Sequence, residues 1–104
     1  FDWNNGEDVW KKIMEEIHEL HEAVQHQSKE KVAEEFGDVL FSLVNYSRFL
    51  HVNPEESLRG TAVKFVKRFN YVEDRLRDQG KDIYNTTLQE MDGLWNEAKE
   101  KKSL

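Results

Sequence analysis

The sequence predicts an all-α domain, a bundle of four helices joined by short loops. Three observations carry this. Apolar residues recur at helical spacing along most of the chain, strand signals are weak throughout, and the one proline stands at a helix start. A first helix is expected over about residues 7–27, with the stripe Val9, Ile13, Ile17, Leu20 and Val24 facing a core. Ser28 is placed to cap a second helix over about 29–50, which carries Val32, Phe36, Val39, Leu40, Leu43 and Val44. Asn53, Pro54 and Glu56 together form a strong start signal for a third helix over about 54–79, because they satisfy or omit orphan N–H groups. Its apolar residues are Leu58, Ala62, Phe65, Phe69, Val72 and Leu76, and Gly80 is placed to end it. Thr87 with Glu90 reads as a capping box for a last helix over about 88–101, carrying Leu88, Met91, Leu94, Trp95 and Ala98.

The chain has 104 residues, enough for one domain with a modest core, and no low-complexity tract or internal repeat divides it. A formal charge of −6 leaves no basic surface for a nucleic-acid polymer. It does not exclude an anionic ligand, since a bound divalent metal reverses the local sign. With no cysteine, disulfides, thiolate metal sites and thiol nucleophiles are excluded. No apolar run reaches bilayer-spanning length and no signal peptide is visible, so no membrane partner and a cytoplasmic location are expected. The first residue is Phe1 and not Met, which leads us to expect an upstream segment.

The second helix departs from ordinary amphipathic patterning. After Asp38 it is apolar nearly all round, which predicts either a central position or cover by a second subunit. Gly37 inside it costs about 1 kcal/mol relative to alanine, a cost that close approach of a ligand or another backbone would explain.

Acidic residues gather beside this anomaly. Glu16 and Glu19 on the first helix, and Glu35 and Asp38 on the second, are i, i+3 pairs that share a helix side. Antiparallel packing would let the four carboxylates converge. Such a cluster repels itself unless something positive neutralises it, and a hard divalent cation such as Mg²⁺ does so with oxygen ligands. A di-iron centre needs Glu-x-x-His on two helices; the chain offers Glu15-x-x-His18 once, and His21, His26 and His51 lack the spacing. The spacing alone leaves open a solvated acidic face paired with Lys12, Lys29 and Lys31. On the third helix Lys64 and Arg68 lie one turn apart, beside Lys67, with Arg75 two turns on. They suit a phosphate chain, or else pair with Glu73 and Asp74; Phe65 and Phe69 between them are expected in the core. Trp95 is expected to pack.

At these residues the chain resembles the MazG family of nucleoside triphosphate pyrophosphohydrolases. The similar stretches are KIMEEIHEL (12–20), EEFGDVLF (34–41) and KFVKRFNYVE (64–73), with FDW (1–3) and MDGLWNEAK (91–99) at the ends. The FDW opening looks like the start of the C-terminal of two tandem domains found in many such proteins. The resemblance implies cleavage of nucleoside triphosphates between the α and β phosphates, giving monophosphate and pyrophosphate, with Mg²⁺ or Mn²⁺ as cofactor and a homodimer or higher oligomer. By the same resemblance Glu16, Glu19, Glu35 and Asp38 are metal ligands, Lys31, Lys64 and Arg68 contact phosphates, and Trp95 lies near the nucleotide. Glu15 or Glu34 would orient or deprotonate the attacking water. Ala62 departs from the family, which often has Asn there; that puts efficiency or base preference in doubt. A dUTPase-like or phosphoribosyl-ATP pyrophosphohydrolase activity, or a catalytically silent dimerisation module, are the alternatives.

Overall fold

Each helix starts and stops for a local chemical reason. The structure, a computed structural model, describes residues 5–101, so the FDW stretch at 1–3 lies outside the described residues. Four helices span Gly6–His26 (α1), Lys29–Phe49 (α2), Pro54–Asp78 (α3) and Leu88–Lys99 (α4), and no strand occurs among the described residues. The all-α class expected from the apolar period is what is observed. No described helix is long and apolar enough to cross a membrane.

The start of α1 is one residue earlier than expected because Asn5 caps it, its side chain accepting from the Asp8 N–H at 3.0 Å. Ser28 caps α2 as expected, accepting from the Lys31 N–H at 3.3 Å. The end of α2 is closed by an unusual residue, His51, at φ 57°. There the Val52 N–H reaches the Ser47 carbonyl and the His51 N–H the Arg48 carbonyl, a Schellman closure with histidine where glycine is usual. The end of α3 shows the usual form: Gly80 at φ 74°, with Lys81 donating to Leu76 and Gly80 to Arg77. Thr87 caps α4 by accepting from the Glu90 N–H at 3.1 Å. The reciprocal half of the expected capping box is missing, because the Glu90 carboxylate accepts instead from Lys81 at 2.9 Å and Thr86 at 2.7 Å. Those two bonds hold its carboxyl below the ordinary range, the lysine having the larger effect.

The chain divides into two compact units, the first ending at Glu55 and the second starting at Glu56. In the first, α1 and α2 form an antiparallel hairpin joined through Gln27 and Ser28. Gly6 lies beside Phe49 and Tyr46 at its open end, and the Trp10 and Tyr46 rings are 6.0 Å apart. The buried apolar residues here are Val9, Ile13, Ala23 and Val39. Ile17 and Val24, expected in the stripe, are exposed, as are Phe36, Leu40, Leu43 and Val44 of α2. The hydrophobic sector of each helix is thus wider than a single antiparallel partner covers. A methyl added at Gly37 would meet nothing within 4 Å, so no close approach among the described residues accounts for that glycine.

In the second unit Val72 and Leu76 of α3 pack with Leu94 of α4, flanked by Ile83, Met91 and Trp95. Tyr71 donates to the Glu97 carboxylate, and Arg75 lies 3.6 Å from the same group. Phe65 was expected to fill the core but is 54% exposed, and Phe69 is half-buried. Their rings stack on each other 6.1 Å apart, and Phe65 tilts against Trp95 at 5.2 Å. The i, i+4 pattern identified a shared face without identifying what covers it.

Candidate metal centre

The hairpin of the first unit brings acidic residues together from both helices. Glu16 of α1 and Glu35 of α2 are buried to 7% and 8% exposure, an unusual place for a carboxylate. Glu16, Glu35 and Asp38 each present an oxygen to one group whose members all lie within 4.8 Å. Asp38 is exposed, so the trio has two dry corners and one wet one. An octahedral site with bonds of about 2.1 Å spaces its oxygens about 3–4 Å apart, so a small inward turn of these side chains would suffice.

The surrounding bonds are asymmetric in the same way at both buried glutamates. One oxygen of Glu16 lies 2.8 Å from the Lys12 ammonium, and one of Glu35 lies 3.2 Å from the Lys31 ammonium. The other oxygen of each is buried and has no hydrogen-bond partner among the described residues. Leaving a buried carboxylate oxygen unpaired is costly, and the cost is removed if a cation takes it. All-carboxylate donors at this spacing fit a hard divalent ion with waters completing its shell. Both ammoniums are pushed above the ordinary lysine value, mainly by the hydrogen bonds to Glu16 and Glu35.

Glu19, the fourth expected ligand, is exposed and outside the trio. It still feels the cluster: its carboxyl is raised above the usual range, first by the Glu16 charge, then by desolvation and by Glu35. Glu19 and Glu35 also border a cavity of about 260 Å³ with His18, Glu22, His26 and Lys31. Glu15 and Glu34 point to solvent, each within 4 Å of a cluster lysine, Lys12 at 3.8 Å and Lys31 at 3.7 Å.

The remaining expected site residues belong to the second unit. Lys64 is exposed on α3, and Arg68, one turn on, is half-buried with its Nε buried and without a hydrogen-bond partner. Trp95 packs against the Val72, Leu76 and Leu94 cluster as expected, and with Phe65, Phe69, Met91 and Asp92 it also lines an apolar cavity of about 370 Å³. Sequence reading missed two things. It treated Lys12 as a general charge partner, whereas its ammonium bonds Glu16 directly. It also found no internal repeat, yet Lys-Ile-Met-Glu-Glu-Ile-His-Glu at 12–19 and Lys-Val-Ala-Glu-Glu-Phe-Gly-Asp at 31–38 follow one pattern. That shared spacing was the available signal for both.

Comparison with known proteins places the chain in a family. Residues 5–73 match the MazG nucleotide pyrophosphohydrolase domain model, a span that contains the whole acidic cluster. The chain is 43% identical over 99 residues to the nucleoside triphosphate pyrophosphohydrolase/pyrophosphatase MazG of Thermotoga maritima, covering 95% of the chain. It is 35% identical over 103 residues to the nucleoside triphosphate pyrophosphohydrolase of Escherichia coli K12, again over 95% of the chain. The chain spans 38% of the length of each of these relatives.

Proposed function

The chain belongs to the MazG nucleotide pyrophosphohydrolase domain family, and from that premise we propose that it hydrolyses nucleoside triphosphates to monophosphate and pyrophosphate. The observation that carries this reading is the trio Glu16, Glu35 and Asp38, in which two buried glutamates each keep an unpartnered oxygen. Glu16, Glu35 and Asp38, joined by Glu19, would hold Mg²⁺, with Mn²⁺ as a substitute. When bound, such an ion neutralises negative charge on the polyphosphate oxygens.

The chain's own groups have separate tasks in this reading. Lys64 and Arg68 bind phosphate oxygens, the arginine through paired N–H donors. Lys31 has three donors, so it holds Glu35 and still offers an N–H to a phosphate. Trp95 offers its ring to the nucleobase within the aromatic cavity. Water attacks the α-phosphorus, the bond from that phosphorus to the bridging oxygen breaks, and pyrophosphate leaves. The water's proton passes to Glu15 or Glu34, the exposed carboxylates next in sequence to buried ligands. The protein acts in the cytoplasm as a homodimer or higher homo-oligomer, and residues 1–104 form a single catalytic domain.

Phosphorus NMR of the chain with several nucleoside triphosphates tests this directly. Monophosphate and pyrophosphate should accumulate with Mg²⁺ and not after chelation. Glu35→Gln or Asp38→Asn should lower turnover by about a thousandfold or more while the helical circular dichroism persists, since a metal ligand acts on the transition state. Diphosphate plus orthophosphate would move the cleaved bond. No turnover of the common triphosphates, with dUTP or phosphoribosyl-ATP cleaved instead, would replace the substrate class.

A further inference from the structure

Lys12 occupies a place in α1 that matches Lys31 in α2, four residues before a buried glutamate. The two eight-residue segments 12–19 and 31–38 put a lysine, an exposed glutamate, a buried glutamate and a further acid in the same order on antiparallel helices. Each lysine therefore meets its glutamate in the same way. Its ammonium engages one carboxylate oxygen and leaves the other buried and unpartnered.

We propose that Lys12 is a positioning residue for the metal centre, fixing Glu16 so that its second oxygen stays turned to the cation, as Lys31 does for Glu35. The inference rests on the metal-centre reading above and extends it to residues that touch no metal. A free glutamate side chain samples several rotamers and can turn both oxygens to water. The ammonium on one oxygen restricts that freedom before the cation arrives, so less ordering remains to be done on binding. Formal charge points the same way. The two ammoniums offset only part of the charge of Glu16, Glu19, Glu35 and Asp38, with Glu15 and Glu34 beside them, so the group stays negative and still favours a cation.

The sign of one measurement separates positioning from mere proximity of charge. Lysine is a cation beside a cation site, so if it acted by charge alone, Lys12→Met would tighten metal binding. If it positions Glu16, the same change weakens binding, by about tenfold on the scale seen when groups bonded to metal ligands are removed. The probe is Mn²⁺ alone, titrated into the full chain and followed by the paramagnetic resonance signal of free Mn²⁺, with circular dichroism to check the helices. Wild type should bind Mn²⁺ and Glu35→Gln should not, which tests the centre itself. Given that, Lys12→Met should bind about tenfold more weakly with its helices intact, and Lys12→Arg should restore most of the affinity. Unchanged or tighter binding by a folded Lys12→Met overturns the positioning role and leaves the metal centre standing. If Lys12→Met loses its helices, Lys12→Gln, which keeps a donor and a polar stem, replaces it under the same two outcomes. Absence of any Mn²⁺ uptake by wild type overturns both.

Discussion

Glu19 sits beside two buried carboxylates, and their field governs what its ionisation does. Its carboxyl is raised above the usual value, chiefly by Glu16, then by desolvation and by Glu35, with Lys12 offsetting part of this. A raised carboxyl means that the ionised form is disfavoured in the folded chain. The resulting loss of stability is absent below about 4.5, the unperturbed value, and grows as the pH climbs through the raised folded value. Glu19→Gln should therefore melt at a higher temperature than wild type at pH 7 with divalent ions chelated, and the gain should vanish near pH 4. A gain of equal size at both pH values would mean that the charge is not its source. With Mg²⁺ present the order should reverse, because wild type gains stability from the ion it binds. The pairing of acids on adjacent helices was legible in sequence as a candidate, since residues three apart share a helix side, but the spacing alone also allowed a solvated face. Which of them are buried was not legible: Glu16 and Glu19 have the same composition and nearly the same helical position, yet only Glu16 sits in the dry seam between α1 and α2.

The helix boundaries carry a different sort of information, because each is set by a few backbone groups. Ser28, Pro54, Gly80 and Thr87 were readable as caps or stops, since each residue type offers a particular bond or backbone angle. Asn5 was readable in the same way and was passed over, which moved the start of α1 by one residue. The closure after α2 was not readable, because it places His51 at φ 57° where sequence reasoning looks for glycine. A side chain in that region is disfavoured, histidine less severely than most. His51→Gly should therefore stabilise the chain by about 0.5–1 kcal/mol, with the glycine's greater unfolded freedom limiting the gain. His51→Val should cost about 1–2 kcal/mol, since a branched Cβ suits this region least. Urea midpoints at unchanged slope measure both. A glycine that destabilises the chain by more than its unfolded freedom costs would show that the imidazole makes a contact worth more than the backbone strain.

At the scale of the whole molecule, the exposed apolar residues call for a covering surface. On α1, Trp10, Met14 and Ile17 lie along one side of the helix, beside the buried Val9 and Ile13. On α2, Phe36, Leu40, Leu43 and Val44 form a stripe at spacings of four, three and one, each about half-exposed. Scattered apolar residues on a surface need no explanation, but stripes on both helices of one hairpin form a contiguous patch of the kind that marks an interface. A domain of 104 residues gains proportionately from covering such a patch, because its own core is small. A second copy of the chain is the occupant in our reading, since the same face on two copies is self-complementary about a two-fold axis. Equilibrium sedimentation should then give at least twice the 12.4 kDa of one chain. Leu40→Glu places a charge in the middle of the stripe, where burial without a partner costs several kcal/mol, and should reduce the mass to that of one chain. Leu40 shares α2 with Glu35 and Asp38, so Mn²⁺ uptake by a monomeric variant whose helical circular dichroism is unchanged tells whether the centre is complete within one chain. A wild-type chain that stays at 12.4 kDa at every concentration would assign the apolar stripes to another partner.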